Sequence, residues 1–258
     1  MRYTLFSRED EFSNELCKKI HELFDIRLGY IFDDHFPDLV ICVGGDGTIL
    51  RAIHYYVGQL DHLAFVGIHT GTLGFFTDYT SKEFEGFVKD VLTGKAEIEA
   101  SPLLEMRVND EDEVTYAFNE FRIGNFHNTV TYDISIDGEF FEQTTGSGIC
   151  VATQAGSTGA NRGLMGAVVD NGLDIIQLNE IMPVFHKNHH SLRNPYIMKS
   201  DRILQIEGDS LKDSAICADY LEYHFPHAKK LEIRTSLKKV YFARFRPYSY
   251  LKRLGNLF

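Results

Sequence analysis

Over its first hundred residues the chain alternates between two hydrophobic patterns. Short continuous apolar runs are typical of strands buried on both faces of a parallel sheet, and apolar residues recurring every three to four positions are typical of helices. The predicted strands are Arg2–Ser7, Asp38–Val43 and Ala64–Ile68, and the predicted helices are Asp10–Phe24, Thr48–Tyr56 and Ser81–Leu92. This order of strands and helices predicts an open α/β layer with right-handed crossovers.

After Pro102 the pattern changes to short β-prone stretches. Asp137-Gly138 is a strong signal for a two-residue hairpin turn. One helix is predicted at about Ser157–Val169. The predicted strands of this half are Leu103–Val108, Val114–Phe118, Phe121–Gly124, Thr131–Ile136, Glu139–Thr144, Arg202–Glu207, Ser214–Ala218, Lys230–Arg234 and Lys239–Phe245. The second half is therefore predicted to be an antiparallel, β-rich domain.

These patterns predict an α/β + β fold with a boundary near residues 98–102. Residues 1–100 are expected to form a Rossmann-like α/β domain, and residues 101–240 a β-rich, β-sandwich-like domain. Residues 241–258 are expected to pack back on the N-terminal domain. The basic stretch Lys238–Arg253, rich in Tyr and Phe, is interpreted as packing of the chain end, with Arg and Lys stems covering apolar surface.

Composition narrows the classes of partner. The chain has 258 residues, 24% of them charged, and a formal net charge of −11. Nucleic acids and anionic membranes require a broad basic face, so both are excluded as expected partners. An anionic small substrate would have to be held by local N–H groups or by a metal ion. The polar N-terminus, the widely spaced cysteines and the lack of an apolar stretch near ~20 residues predict a reduced, cytoplasmic protein.

The glycine-rich sequence Gly44-Gly45-Asp46-Gly47-Thr48 follows a predicted buried strand and opens a predicted helix. Phosphate sites are often built at such positions, because glycines let the backbone approach the ligand and free N–H groups at the helix start point at the anion. The sequence is neither a Walker loop nor the dinucleotide G-x-G-x-x-G fingerprint. The alternative interpretation is a tight strand-to-helix turn in which Asp46 is the N-cap.

A second glycine cluster, Gly67–Phe75, follows the next predicted strand about twenty residues on. Two adjacent βα turns lie at the same carboxyl edge of a parallel sheet, where ligands bind in such folds. The second cluster therefore favours the phosphate-site interpretation. His69 within it is interpreted as a loop histidine with satisfied hydrogen bonds.

Taken together, these motifs resemble the NAD kinase family, and particularly its short Gram-positive bacterial type. Gly-Gly-Asp-Gly alone also occurs in diacylglycerol-type lipid kinases and phosphofructokinases, but the order and spacing of five motifs over nearly the whole chain are more specific. The matching stretches are Val43–Thr48, Gly67–Phe75, Phe118–Glu120, Gly156–Thr158 and Phe242–Pro247.

The resemblance implies transfer of the γ-phosphoryl of ATP, or of polyphosphate, to the 2′-hydroxyl of the adenosine ribose of NAD, which gives NADP. Asp46 matches the family's catalytic aspartate, which orients and deprotonates that hydroxyl. Mg²⁺ or another divalent cation would neutralise phosphate charge. A homo-oligomer, dimer or tetramer, is also implied. The glycine-rich loop supplies the nucleotide-binding residues Gly44, Gly45, Gly47 and Thr48.

Asn119 and Glu120 match the family's Asn-Glu pair, which holds NAD. A carboxylate beside an amide suits the two hydroxyls of a ribose and the edge of adenine. From the residues alone, a strand-end turn is the preferred interpretation of this pair.

Three further residues match positions at the adenine and adenosine sites of the family, and a fourth residue beside them differs from it. Phe75 matches an aromatic beside the adenosine site, although core packing explains it equally well. Thr158 matches a hydroxyl in the adenine pocket, and Asp219 an aspartate near it. Tyr220 follows where relatives often carry His or Gly.

The departures from the family pattern concentrate in the NAD-binding motifs. Ser147 replaces an aspartate that contacts the nicotinamide side of the ligand, and Ala160 replaces an aromatic that stacks on it. Losing one base–aromatic stack costs about 1–3 kcal/mol by analogy with nucleic-acid binding. Losing a charge-assisted hydrogen bond costs a comparable amount. Tyr132 and Tyr220 are candidates to compensate.

Several functions therefore stay open at this point: an NAD kinase, a non-catalytic or weakly active dinucleotide-binding paralogue, a kinase of a related nucleoside, and a lipid kinase. The lipid kinase is disfavoured because no amphipathic or basic membrane-facing stretch is visible. The cluster of His186, His189 and His190 is interpreted as a solvated loop rather than a metal site, because no carboxylate or cysteine lies at ligand spacing.

Overall fold

The computed structural model describes residues 1–26, 29–71, 74–184 and 191–255. The fold is a mixed α/β structure with two sheets. The chain divides into two compact units, one of Met1–Ser101 with Lys238–Phe258 and one of Pro102–Leu237. The strands are β1 Arg2–Ser7, β2 Ile31–Phe32, β3 Leu39–Val43, β4 Ala64–His69, β5 Tyr79–Thr80, β6 Glu97–Val108, β7 Thr115–Ala117, β8 Glu120–Gly124, β9 Val130–Ile136, β10 Glu139–Gly146, β11 Gly148–Thr153, β12 Ile175–Ile181, β13 Tyr196–Lys199, β14 Leu204–Glu207, β15 Ala215–Ala218, β16 Leu221–His224 and β17 Lys230–Arg244. The helices are α1 Glu11–Asp25, α2 Asp46–Tyr55, α3 Phe84–Thr93, α4 Ala160–Gly163 and α5 Tyr250–Gly255, with 3₁₀ turns at Val57–Gln59, Ser81–Glu83, Ala155–Thr158 and Asp209–Asp213.

The first unit is built on a parallel sheet, as the apolar runs predicted. Its strand order is β4-β3-β1-β2, and β5 and the end of β17 both pair with β4 in parallel. Alternate residues of a strand face opposite sides of the sheet. One side packs α1 and α3 against β1, β3 and β4 through a single apolar cluster, whose members include Leu16, Ile20, Phe24, Ile41, Val43, Val66, Ile68, Phe87 and Val91. Helix α2 also packs on β1 and β3 and buries Ile49, Ala52 and Ile53.

A side-chain N-cap accounts for where α1 begins, but no side-chain cap marks the start of α2. Asp10 caps α1 by accepting a hydrogen bond from the Ser13 N–H at 3.0 Å. Helix α2 begins at Asp46, two residues before the predicted start, and its N-cap is Gly45, which offers no side-chain acceptor. The interpretation of Asp46 as an N-cap is therefore wrong, because its carboxylate binds amides of another loop.

The second unit contains two β-sheets with one apolar core between them. The six-stranded sheet has the order β13-β12-β11-β8-β15-β16, and strands β10, β9, β14 and β17 follow one another in the other sheet. Both sheets contribute to a single cluster that includes Leu104, Phe121, Ile123, Tyr132, Ile134, Val151, Leu178, Leu204, Ile206, Ile216 and Ile233. The predicted hairpin is confirmed: Asp137 and Gly138 have φ of 54° and 83°, the left-handed pair that a type I′ turn requires.

The predicted helix at Ser157–Val169 is wrong. Only a 3₁₀ turn and the four-residue α4 form there. Buried side-chain amides hold the rest of this segment in an irregular path: Gln177 binds both backbone groups of Ala167, at 2.7 and 3.1 Å, and Asn179 donates to the Leu164 carbonyl at 2.6 Å. Tertiary hydrogen bonds thus outweigh local helix propensity.

Strand prediction in the second half was incomplete. Strands β11, β12, β13 and β16 were not predicted, and the two stretches expected at Lys230–Arg234 and Lys239–Phe245 form one continuous strand, β17. Leu237 is exposed and is followed by two lysines, which interrupts the apolar alternation, but the strand continues through this stretch. All four cysteines are free thiols, and Cys42 and Cys150 are buried. Within the described ranges, no helix has both the length and the apolarity needed to cross a membrane.

Candidate active site

Two backbone amides hold the carboxylate of Asp46 in the first unit. Oδ2 accepts from the Phe75 N–H at 2.8 Å, and Oδ1 accepts from the Phe76 N–H at 3.0 Å. Asp46 is the first residue of α2, and Phe75 and Phe76 follow β4, so the two predicted glycine-rich turns meet here. The carboxylate therefore has a single orientation, imposed by residues about thirty positions away in sequence.

Close packing makes glycine necessary beside this carboxylate. A methyl group on Gly74 would lie 2.2 Å from Oδ1 of Asp46, well inside van der Waals contact. A methyl group on Gly45 or Gly47 would meet nothing within 4 Å. The backbone at the start of α2 is thus open to an approaching group, at the end of a helix where N–H groups lack intrahelical acceptors.

The ionisation of Asp46 reflects competing effects. Burial raises the pKa of its carboxyl above the ordinary aspartate value, while the N–H groups of Phe75 and Phe76 lower it. The positive charge of Arg253 lowers it further, and burial prevails. A base with a raised pKa is a stronger proton acceptor, and such shifts are common at catalytic positions.

The other predicted residues of this unit surround the same turn. Gly44 donates its N–H to the Ile68 carbonyl at 2.9 Å, and Thr48 is buried at the start of α2. The ring of Phe75 packs against that of Tyr250, with centroids 5.8 Å apart. His69 is buried at the end of β4, and its Nδ1 hydrogen-bonds with the Gly71 carbonyl at 2.7 Å. Its Nε2 has no hydrogen-bond partner among the described residues, so the prediction of a loop histidine with satisfied hydrogen bonds is wrong. Thr72 and Leu73 of the second motif lie outside the described residues, as does the His186–His190 segment.

A second cluster forms in the other unit, around Asn119 and Glu120. The Asp219 carboxylate accepts the backbone N–H groups of Phe118, Asn119 and Glu120 at 2.8, 2.7 and 3.2 Å. Asp219 itself has φ of 54° at the turn between β15 and β16. The resemblance to the family predicted that Asp219 lies near the adenine pocket, and in the structure its carboxylate holds the Asn119-Glu120 turn.

Glu120 is a buried carboxyl with unsatisfied hydrogen-bonding capacity. Burial, followed by the negative charge of Asp219, raises the pKa of Glu120 to about 7. Arg122, whose Nε lies 3.8 Å from Oε1, and the Ala160 N–H lower it. Oε2 of Glu120 and Oδ1 of Asn119 are buried without a hydrogen-bond partner among the described residues. Because unpaired buried polar atoms are costly, these two acceptors are suited to the hydroxyl or amino donors of a ligand.

The 3₁₀ turn after β11 packs directly on the Asn119-Glu120 turn. Thr153 donates its hydroxyl to the Phe118 carbonyl at 2.7 Å, and its N–H to the Asn119 carbonyl at 2.9 Å. Thr158 follows in the same 3₁₀ turn, with its hydroxyl bonded to the Ala155 carbonyl at 3.2 Å. Ala160 is half-buried beside Glu120.

Gly156→Ala is expected to destabilise the second unit by about 1–3 kcal/mol, because the new methyl group would overpack the turn. It would lie 2.0 Å from the backbone carbonyl oxygen of Asn119, which cannot move without breaking its bond to Thr153. Urea unfolding would measure the change. Gly163→Ala is the matched control, since a methyl group there meets nothing within 4 Å. Equal midpoints for the two variants would contradict the packing argument.

The structure does not bring Ser147 to this cluster. Its neighbour Gly148 pairs with Gly124, four residues along β8 from Glu120, which corresponds to roughly 13 Å at the usual strand rise. The Ser147 hydroxyl instead lies 3.8 Å from the Met182 sulfur. Tyr220 lies next to Asp219 and is half exposed. The compensating candidate Tyr132 is buried and bonds the Ser214 hydroxyl at 2.6 Å, so it belongs to the core.

Asn161 and Arg122 are candidate site residues that the sequence analysis missed. Asn161 is fully buried, and neither atom of its amide has a hydrogen-bond partner among the described residues. Arg122 donates to the Asp219 carbonyl at 2.8 Å. The sequence carries no signal for Arg122, because its position depends on strand pairing, whereas the polar Asn161 next to the Gly156–Thr158 motif was a detectable candidate.

The described residues do not form a cluster of side chains that could bind a metal ion. In the described ranges, no group of three or more His, Cys, Asp or Glu side chains could hold one. The described residues therefore do not fit a metal ion that is bound by protein side chains alone.

An α/β layer with a glycine-rich strand-to-helix turn, and a carboxylate held there by two backbone amides, is typical of the class of nucleotide-binding α/β proteins. A sequence profile described as "ATP-NAD kinase N-terminal domain" matches residues 3–96. The chain is 33% identical over 262 residues to NAD kinase 1 of Bacillus cereus, covering 100% of this chain and 98% of that protein.

Two solved structures share the fold. An NAD kinase from Archaeoglobus fulgidus in complex with ATP is 24% identical, with a TM-score of 0.80 and coverage of 100% of this chain and 98% of that one. Yeast NADH kinase complexed with NADH is 21% identical, with a TM-score of 0.79 and coverage of 99% and 86%. Given the full-length similarity to named bacterial relatives, the chain belongs to the NAD kinase family.

Proposed function

We propose that this protein transfers the γ-phosphoryl group of ATP to the 2′-hydroxyl of the adenosine ribose of NAD, giving NADP and ADP. Full-length similarity to enzymes named NAD kinase supports the reaction. The ATP bound in the archaeal relative supports ATP, rather than polyphosphate, as the donor. In this reaction the 2′-oxygen attacks the γ-phosphorus, the bond to the ADP oxygen breaks, and the hydroxyl proton passes to a carboxylate.

The observation that carries this proposal is that two backbone amides hold the carboxylate of Asp46 in place. Its two carboxylate oxygens are held by the Phe75 and Phe76 amides beside the open backbone of Gly45 and Gly47. A fixed carboxylate with a raised pKa is suited to accept the ribose hydroxyl proton. The free N–H groups at the start of α2 are suited to hold a phosphate.

We assign NAD recognition to the Asn119-Glu120 turn. Glu120 Oε2 and Asn119 Oδ1 are buried acceptors without partners among the described residues, and ribose hydroxyls and the adenine amino group are donors. Thr158, Ala160 and Tyr220 border this turn or its supporting residue Asp219. Ser147 lies at the opposite end of β8, and its predicted contact with the nicotinamide side stays a prediction.

Other parts of the proposal concern organisation. We propose that the N-terminal α/β region is a Rossmann-like domain and that the β-rich region is a β-sandwich-like domain, with limits near residues 100 and 240.

Mg²⁺ would enter with the nucleotide phosphates, because Mg²⁺ usually keeps several waters and uses few protein ligands. A homo-oligomer stays a prediction that sedimentation would test.

Ala160→Tyr is expected to lower the KM for NAD by about tenfold, because an aromatic ring would stack on a base or nicotinamide ring and stacking contributes about 1–3 kcal/mol. Residue 160 is half-buried and its N–H contacts Glu120, so an aromatic ring at this position would lie beside the proposed ligand. Steady-state kinetics at saturating ATP would measure the change. Ala160→Leu is the control: an equal effect in that variant would show that apolar burial, and not stacking, is responsible.

The proposed function is tested by incubating the purified full-length chain with NAD, ATP and Mg²⁺ and following NADP through an NADP-specific dehydrogenase. NADP formation that depends on both substrates supports the proposal. A folded sample that binds NAD by calorimetry but forms no NADP would leave a non-catalytic dinucleotide-binding protein. Activity restored by another nucleoside acceptor would leave a kinase of that nucleoside.

A further inference from the structure

The chain end packs against the loop that orients Asp46. Residues 75–78 follow β4, and the segment from Arg244 to Arg253 lies against them in the same compact unit. Phe75 and Phe76 use their N–H groups for the Asp46 carboxylate, so the remaining polar groups of these peptides are their carbonyls. Both of those carbonyls accept hydrogen bonds from the chain end.

The carbonyls of Phe75, Phe76 and Asp78 each have a donor in the C-terminal segment. The Tyr248 hydroxyl donates to the Phe75 carbonyl at 2.9 Å, and Arg244 Nη1 donates to the Phe76 carbonyl at 3.3 Å. Arg246 donates to the Asp78 carbonyl. Tyr248 and Asp46 are therefore connected through one peptide group, whose carbonyl oxygen, that of Phe75, accepts from Tyr248 and whose N–H, that of Phe76, donates to Oδ1 of Asp46.

The donors are themselves held in place. Arg244 is buried and makes two 3.0 Å bonds to the Asp78 carboxylate and one of 2.8 Å to Glu99. Its guanidinium lies 4.2 Å from the centre of the Tyr248 ring, which keeps the tyrosine in contact with a cation on its face. Tyr248 thus sits between a rigid salt-bridge network and the Phe75 carbonyl.

We propose that Tyr248 is a positioning residue for the reaction, acting through the Phe75 backbone to orient Asp46 and to keep it ionised. The proposal rests on the catalytic role proposed above for Asp46. A hydrogen bond to the Phe75 carbonyl fixes the loop in which the Phe75 N–H points at Oδ2 of Asp46. The Phe75 carbonyl and the Phe76 N–H belong to one peptide group, and hydrogen bonds in series polarise one another, so this contact also strengthens the bond from the Phe76 N–H to Oδ1 of Asp46. A mobile Phe75 would leave Asp46 free to rotate away from the ribose hydroxyl.

The test is Tyr248→Phe in the full-length chain, which removes one hydroxyl and keeps the ring beside Arg244. We expect kcat to fall about three- to tenfold, the range for one hydrogen bond, with the KM values for ATP and NAD nearly unchanged. The acid limb of the kcat profile should move to higher pH, because the Asp46 carboxylate has lost part of its stabilisation. Reduced stability alone would not move that limb.

Tyr56→Phe is the matched control. Tyr56 lies just after α2 in the same unit, and its hydroxyl also donates to a backbone carbonyl at 2.9 Å, that of Asp34. Tyr56→Phe should lose at least as much thermal stability as Tyr248→Phe, because its hydroxyl also bonds the Thr4 side chain, but only Tyr248→Phe should change kcat and the acid limb. Equal kcat values in the two variants, or a lower kcat in Tyr248→Phe without movement of the limb, would overturn the proposal.

Asp46→Asn in the same assay distinguishes failure of the positioning role of Tyr248 from failure of the proposed role of Asp46. If Asp46→Asn is inactive and Tyr248→Phe behaves like Tyr56→Phe, only the positioning role of Tyr248 fails. If Asp46→Asn keeps wild-type activity, the proposed role of Asp46 fails, and the positioning role built on it fails as well.

Discussion

Asp46→Asn is expected to lower kcat by about 10²–10⁴, because the ribose hydroxyl would lose the carboxylate that accepts its proton. The structure adds a second reason. Each carboxylate oxygen accepts one backbone N–H, from Phe75 and from Phe76, and an asparagine amide can satisfy only one of them. The assay is NADP formation at saturating NAD and ATP, with ATP binding followed by calorimetry.

Asp38→Asn is the control for the loss of a carboxylate whose two oxygens both accept hydrogen bonds. In the first unit, Oδ2 of Asp38 accepts the backbone N–H of Arg2 at 2.7 Å, and Oδ1 accepts Nη2 of Arg2 at 2.7 Å. It lies outside the proposed site and should keep wild-type kcat. If both variants lost activity alike, the effect of Asp46→Asn would be structural and not catalytic.

The pH dependence of the wild type provides an independent check on Asp46. Burial raises the pKa of this carboxyl, and the base must be ionised to act. Activity should therefore fall as the pH drops through a value above the ordinary aspartate range. That limb should be absent from the residual activity of Asp46→Asn. A limb at the ordinary aspartate value would contradict the raised pKa.

Glu120→Gln is expected to weaken NAD binding and, in the free protein, to increase stability. The KM for NAD should rise at least about tenfold, since hydrogen bonds to a charged group contribute about 1.5–3 kcal/mol. The unliganded protein should become more stable at pH 8, because burying the ionised carboxylate is unfavourable. A residue that destabilises the free protein and improves ligand binding is a common feature of functional sites.

The stability effect has a defined sign and pH window. The pKa of Glu120 rises from 4.5 to about 7 on folding, so the folded protein favours the protonated carboxyl. Below pH 4.5 the group is protonated in both states and has no effect; as the pH rises to about 7 the folded state loses stability relative to the unfolded state. At about 1.4 kcal/mol per pKa unit, the loss reaches about 3 kcal/mol, which Gln would not incur.

Thermal unfolding at pH 8 and near pH 4.5 measures this difference. Glu120→Gln should raise the Tm at the higher pH and have little effect at the lower one. Glu222→Gln on β16 is the matched control, because this glutamate is 60% exposed and should change neither Tm. A Tm that falls at pH 8 in Glu120→Gln would show that the carboxylate stabilises the free protein, contrary to this account.

The candidate site illustrates which inferences local sequence supports. The glycine-rich loop and the second glycine cluster were predicted to meet at one sheet edge, and the structure joins them through the bonds from Phe75 and Phe76 to Asp46. Asn119 and Glu120 were identified only through resemblance to the family. Their turn depends on Asp219, about a hundred residues away, and no local pattern predicts that contact.

The limits of the sequence analysis have physical causes. Periodicity reports which face of an element is apolar, so β1, β3, β4 and α1 could be predicted closely. The path of the segment after Thr158 is not determined by apolar periodicity. The buried side-chain amides of Gln177 and Asn179 determine it. Arg122 became recognisable as a candidate site residue only when its contacts with Asp219 and Glu120 were known.

The sequence by itself determined the parallel layer of the first unit, the hairpin at Asp137-Gly138 and the presence of the glycine-rich loop, because these depend on residues near one another in the chain. The tertiary structure determined the orientation and ionisation of the functional carboxyls. Asp46 takes its orientation from amides about thirty residues away, which Tyr248 supports from the end of the chain. The pKa of Glu120 comes from burial and from the charge of Asp219. Hydrogen bonds and desolvation act through space, so these properties arise only when distant parts of the chain are in contact.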